Sequence, residues 1–226
     1  PDGGLTKIGS GTLTLSGSSG YTGTTTVSDG TLNFSGSGSI YNNGTYAGTI
    51  NVESGGTLQF SRHDTFGNAS ANPAVTINVN GGTITNTAGW FTPLGDVVLD
   101  EGTIAANAGH ISWDSFLFKG TVSTVAAANP SYLTSTGANS SFHLNRTSAG
   151  GTEFNIADGT AAFDLIISGT LEDYYPGDPG RLAKTGPGTL ALMNGANSYT
   201  GGTTIDGGTL HIGATGATGS GPIYVL

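Results

Sequence analysis

Residues 5–34 read LTKIGSGTLTLSGSSGYTGTTTVSDGTLNF, and residues 182–212 read LAKTGPGTLALMNGANSYTGGTTIDGGTLHI. One extra residue ahead of the second Tyr-Thr-Gly brings glycines, threonines and aliphatics of the two stretches into register. The match runs on, Ser37-Gly38-Ser39-Ile40-Tyr41 returning as Ser220-Gly221-Pro222-Ile223-Tyr224. Between the copies a shorter unit recurs, a turn followed by Gly-Thr and an apolar alternation. It stands at Gly56-Thr57-Leu58-Gln59-Phe60, Gly82-Thr83-Ile84, Gly102-Thr103-Ile104, Gly120-Thr121-Val122, Gly151-Thr152-Glu153-Phe154 and Gly169-Thr170-Leu171. Most neighbouring units lie about 18 to 26 residues apart, a spacing that belongs to architectures in which each repeat buries its apolar face only against the next.

The chemistry inside one unit is that of a strand. In Gly11-Thr12-Leu13-Thr14-Leu15 the leucines alternate with threonine, so Leu13 and Leu15 share one face. Asp29-Gly30, Gly55-Gly56, Gly81-Gly82 and Gly207-Gly208 supply turns. No apolar pattern at helical spacing is sustained, and glycine is too frequent to leave a helix interior intact. A barrel or sandwich would use the turns as hairpins, whereas a solenoid would use them as corners. Recurrence of the whole unit favours the solenoid, an all-β fold with coils of about 20 residues. At ~4.8 Å per coil and roughly eleven coils, the rod is on the order of 50 Å long.

Composition narrows the function. Six Lys plus Arg against 15 Asp plus Glu give a net charge of −9, which leaves no basic stripe for phosphates and makes nucleic acid an unsuitable partner. Cysteine is absent, removing disulfides and thiolate metal sites together. No window reaches ~18 uninterrupted apolar residues, so no helix spans a membrane. The chain opens at Pro1 and its one methionine is Met193, the pattern expected of a piece of a larger precursor or of a processed product. Charge is only 9%, consistent with strands whose residues stack on their own kind, where ladders of like charge are destabilising.

The run Leu182-Ala183-Lys184-Thr185-Gly186-Pro187-Gly188-Thr189-Leu190, with Asn197-Ser198-Tyr199-Thr200-Gly201-Gly202-Thr203-Thr204 and Gly207-Gly208-Thr209-Leu210, closely resembles the autotransporter-associated β-strand repeat, also called the passenger-associated transport repeat. The N-terminal copy matches through Lys7, Gly11-Thr12-Leu13, Tyr21-Thr22-Gly23 and Gly30-Thr31-Leu32. The resemblance implies a right-handed parallel β-helix: one segment over 1–226, homologous repeats at 5–41 and 182–224, and more divergent coils over 42–180. It also implies a secreted passenger at the bacterial cell surface, whose repeats help it cross the outer membrane and fold. No membrane-barrel segment is recognisable in the chain.

Parallel β-helices include polysaccharide lyases and hydrolases, so acidic pairs need weighing. Asp100-Glu101 and Glu172-Asp173 are neighbours on strands and point to opposite faces, which argues against either pair acting alone. The loop Glu172-Asp173-Tyr174-Tyr175-Pro176-Gly177-Asp178-Pro179-Gly180 is the most acidic local cluster. It reads either as a Ca²⁺ or sugar site or as a solvated turn closing one section. Trp90 and Trp113, the latter in His110-Ile111-Ser112-Trp113-Asp114-Ser115-Phe116-Leu117-Phe118, read either as an aromatic ligand platform or as filling of a wide coil. His63-Asp64 lacks a nucleophile elbow, and His143 and His211 show no metal spacing, so all the histidines are expected at the surface. Neither a phosphate loop nor the glycine-aspartate calcium repeat of toxin β-rolls is present, so no cofactor or metal is expected.

The leading expectation is therefore a non-catalytic stalk or adhesion scaffold, whose partner would be a host or matrix glycan or protein. One alternative is a self-assembling extracellular fibre or sheath subunit, pairing through its end coils. A second is a glycan-binding or polysaccharide-degrading β-helix, whose mark would be charged side chains converging on one groove near Asp114, Glu153 or Asp173.

Overall fold

The computed structural model of the chain describes residues 3–37, 40, 48–67, 72–87, 91–107, 115–137, 140–174 and 177–226. Apart from a single 3-10 turn at Thr147–Ala149, the regular structure among them is strand. The strands form three parallel sheets. The first has ten strands, from Leu5–Lys7 to Ile223–Val225, and the second has nine, from Thr12–Leu15 to Thr209–Ile212. The third holds four: Phe91–Leu94, Ser115–Phe118, Ser141–Leu144 and Thr170–Asp173. Sequence neighbours lie in different sheets, while each strand pairs with its counterpart one coil away. This is a parallel β-helix, as the recurrence of whole units requires.

Ten strands in the first sheet stand in place of the eleven coils estimated from spacing. The reason is coil length. Leu5 pairs with Thr25 and Thr203 with Ile223, 20 residues apart at both ends. In the middle Ile50 pairs with Ile77, 27 residues on, and Val122 with Phe154, 32 residues on. The ladders fix only the register of strands; corner loops take up the difference without disturbing it.

In most strands of the first two sheets, alternation sends every second residue inward. Leu32, Leu58, Ile84, Ile104 and Leu133 follow one another in register along the second sheet, all fully buried. Phe34 stacks on Phe60 with centroids 6.0 Å apart, and the third sheet adds Phe116 and Phe118 against Phe142 at 6.1 and 5.6 Å. Burial of such side chains contributes about 1.5–3 kcal/mol each. Outside, like also meets like: Asn78 Nδ2 donates to Asn51 Oδ1 at 2.8 Å, and Thr57, Thr83 and Thr103 form a row.

The two outer repeats share a device that their sequence identity foretells without explaining. Lys7 follows Leu5, and Lys184 follows Leu182, at the two-residue spacing of one strand face, so both lysines turn inward. Lys184 is fully buried and its ammonium donates to the carbonyl oxygens of Thr185 at 2.7 Å, Gly186 at 2.8 Å and Gly207 at 3.1 Å. Lys7 donates likewise to Ile8 at 3.1 Å, Asp29 at 2.9 Å, and Gly9. One cation thus gathers the corner carbonyls of its own coil and the next. The repeat's tyrosine is equally matched, Tyr21 to Thr25 Oγ1 at 2.8 Å and Tyr199 to Thr203 Oγ1 at 2.6 Å. At the neighbouring corner Gly30 and Gly208 take φ of 66° and 64°, and a Cβ on either would collide with the backbone carbonyl of Gly11 or Gly188.

Candidate functional site

The acidic loop leaves the last strand of the third sheet. Asp173 Oδ1 accepts from the amides of Gly180 at 2.7 Å and Thr200 at 2.9 Å, and Oδ2 accepts from the Thr200 hydroxyl at 2.7 Å. That carboxylate ties the loop to the following coil. Asp178 pairs with Arg146 Nε at 3.1 Å. Glu172 is half-buried and lies in register with His143. Tyr174 packs its ring 4.9 Å from Phe91, with Lys119 Nζ 5.7 Å from its centroid. Tyr175, Trp90 and Trp113 lie outside the described residues. Among the described residues no group of three or more Asp, Glu or His is placed to hold a metal ion.

The histidines divide. His63 meets Asp64 Oδ2 at 2.7 Å on the surface, and His211 packs on Phe163 at 4.8 Å. His143, expected at the surface, is buried at 5% exposure in the third sheet. Its Nδ1 donates to the Asp173 carbonyl at 3.0 Å, and its Nε2 hydrogen-bonds the Ser141 hydroxyl at 3.3 Å. The correction has a simple cause: an imidazole whose two nitrogens both find hydrogen-bond partners can be buried within a sheet.

Two open clefts on the coil surface are lined by described residues. One, of about 410 Å³, is lined by Ser54, Asn80, Gly81, Asp100 and Glu101. Register sets Asp100 beside Asn80, whose other partner in the first sheet is Glu53. Asn80 donates to both Glu53 oxygens at 3.2 and 3.3 Å. Glu101 holds φ 52° and accepts from the Asn129 side chain and amide, both at 3.1 Å, which keep its carboxyl below the usual range.

The other cleft, of about 280 Å³, sits where the chain turns from the third sheet into the first, and Asp96, Lys119, Thr121, Asn145, Gly150 and Glu153 line it. Three successive coils build it. Asp96 opens one first-sheet strand, Lys119 and Thr121 stand at the corner before the next, and Glu153 lies on the third. Asp96 Oδ1 accepts from the Thr121 amide at 2.9 Å, and Glu153 Oε1 from the Thr185 hydroxyl at 2.8 Å. Burial pushes the Lys119 ammonium below its ordinary pKa, Arg146 adds to the shift and Asp178 opposes it. Glu153 carried a signal in the sequence, but Asp96 and Lys119 did not. They meet it only through coil register, and the uneven middle coils hide that register from a reading of spacing.

A model of the passenger-associated transport repeat matches residues 5–34 and 182–212. Over 242 aligned positions the chain is 33% identical to the adhesin BmaC autotransporter of Brucella suis biovar 1 (strain 1330), an alignment covering 97% of this chain and 7% of that protein. No solved structure matches. Repeats of this type stand at both ends of a parallel β-helix, and with the likeness to an autotransporter adhesin along nearly the whole chain they support an autotransporter-associated repeat protein.

Proposed function

We propose that the chain is a stiff, non-catalytic length of a secreted passenger displayed at the bacterial cell surface, holding adhesive regions of a longer protein away from the membrane. The observation that carries this reading is the continuity of the first sheet, ten parallel strands in register over one closed apolar interior. Such a stack resists bending because each coil is bonded to the next through two or three sheets. The acids most exposed to a catalytic reading are occupied structurally, Asp173 by three donors and Asp178 by Arg146. Likeness to an adhesin supports a role in attachment to host protein or glycan.

Whole-coil excision from the full passenger tests the stalk reading. Removing residues 50–76, one coil by register, leaves export intact and brings a tag placed beyond the segment closer to the outer membrane by about 4.8 Å; removing several coils scales the change. Electron microscopy of labelled cells reads the distance. Loss of cell attachment with unchanged reach would refute the stalk and point to a binding element within the excised coils.

A further inference from the structure

The nine strands of the second sheet contain no Asp, Glu, Lys or Arg, in a chain whose net charge is −9. The first sheet differs, for Glu53, Asp96, Asp100 and Glu153 all stand at outward places on its strands. Outward on the second sheet, Thr12, Thr31, Thr57, Thr83 and Thr103 follow one another in register. Tyr132, 37% exposed, and Ile166 continue the same row. Beside the threonines lie Asn33 and Gln59, the latter donating its Nε2 to Asn33 Oδ1 at 3.4 Å. One side of the molecule is thus a long uncharged strip, hydroxyl and amide in its first part and apolar beyond.

Its size follows from the sheet. At ~4.8 Å per strand and ~6.6 Å between outward neighbours on a strand, nine strands give a strip of roughly 38 Å by 13 Å, on the order of 500 Å². A stable pair usually buries about 800 Å² on each partner. A contact through this strip alone is therefore weak and reversible. Display of many copies on one surface offsets the small area, because each further contact is then made at high effective concentration.

Charge selects the occupant. A cationic partner is drawn to the carboxylates of the first sheet and away from the strip. A second copy of this chain carries the same carboxylates and is repelled by them. On the strip two such acidic molecules approach without like charges meeting. Hydroxyls and amides each donate and accept, so the strip is complementary to itself, as a contact between identical patches requires. Tyr132, on the sixth of the nine strands, supplies an aromatic anchor of the kind enriched at interfaces.

We propose that the outer face of the second sheet is a docking surface for the same face of a second copy. The inference rests on the fold and its charge pattern, independently of the stalk reading, and either fails without the other. Because the chain has no cysteine, single introduced cysteines report the contact in the full passenger displayed on cells. With a short bismaleimide, at least one of Thr31→Cys, Thr83→Cys and Thr134→Cys gives covalent dimers, while Asn51→Cys and Asn78→Cys on the first sheet give none. Adding Thr57→Glu and Thr103→Glu to the dimer-forming variant cuts its yield about tenfold or more, since like charges then face each other across the contact. The uncharged pair Thr57→Gln and Thr103→Gln keeps the yield, and the thermal midpoint of the purified chain is the same with either pair. No dimers from any second-sheet cysteine, equal yields from the first sheet, or dimers indifferent to the glutamates each overturn the proposal. Loss of cell attachment with the glutamates, without cross-linking at any of the three positions, overturns it in favour of a foreign partner on the strip.

Discussion

Replacing Lys184 by methionine keeps an apolar stem of similar length and removes only the ammonium. In the folded protein three carbonyls, those of Thr185, Gly186 and Gly207, lose their donor at once. A hydrogen bond to a charged group is worth about 1.5–3 kcal/mol, and an orphaned buried acceptor costs about 1–3 kcal/mol. The sum is not threefold, for two reasons visible in the structure. Gly207 is exposed and Thr185 and Gly186 are half-buried, so water reaches part of what the lysine leaves. Burial also disfavours the ammonium itself, pushing its pKa below the ordinary lysine range against the opposing pull of Asp164, and the variant is relieved of that penalty. About 3 kcal/mol of destabilisation remains, the lower end for breaking a buried charged network. For a chain of this size that is a fall in thermal midpoint of roughly 6–12 °C. Hydrogen exchange should show the loss concentrated in the amides of Thr203–Asp206 and Thr209–Ile212, the strands next along from the clamp. Lys7→Met should cost less, because Lys7 is 7% exposed on an outer coil. A midpoint for Lys184→Met within about 1 °C of the parent, or a larger effect at Lys7, would refute the clamp.

Three further outcomes follow from the same coils. Burial raises the Tyr199 phenol to about 12 despite the opposing hydrogen bond with Thr203; the folded state therefore holds this proton more tightly than the unfolded chain, whose tyrosine titrates near 10. Stability from this group is complete below about pH 10 and is lost as pH rises toward 12, about 3 kcal/mol in all, and the difference in urea midpoint between parent and Tyr199→Phe should shrink across that window. Gly208→Ala, at φ 64° with the Gly188 carbonyl where a Cβ must go, should destabilise by about 2 kcal/mol or more in thermal unfolding. Asp173→Asn replaces one of two accepting carboxylate oxygens with an amide NH2 that cannot accept, and a loss of about 1–3 kcal/mol should appear in urea unfolding, with faster exchange at Gly180 and Thr200.

Strand identity and the parallel stack were legible because one unit, Gly-Thr followed by an alternating apolar pair, was written often enough to show its period. Thr57-Leu58-Gln59-Phe60 and Thr83-Ile84 announce both the strand and the face it buries, and the structure pairs them residue for residue. The third sheet was harder to read. Phe91–Leu94 and Ser141–Leu144 lack the Gly-Thr opening, and the latter has no outward polar alternation because its residues are buried on both sides. The buried lysines were visible as repeat residues, yet their inward aim needs the two-residue step from Leu5 and Leu182, a step that charge counsels against taking. The corner cleft was the least legible feature, since Asp96 and Glu153 are 57 positions apart in the chain and meet through two unequal coils.

Because every sheet is parallel and each strand bonds to its counterpart one coil away, the interstrand hydrogen bonds run along the long axis of the molecule. Tension applied between its two ends therefore loads the outermost ladder first and opens its bonds one after another, like a zip, instead of shearing many together. Each yielding coil releases its whole contour: the 27 residues from Ile50 to Ile77, at about 3.3–3.6 Å each, lengthen the tether by roughly 90 Å in exchange for ~4.8 Å of rod. The stalk we propose would therefore lose stiffness a coil at a time under flow and keep its grip, with the unopened coils serving as the template on which the slack rewinds.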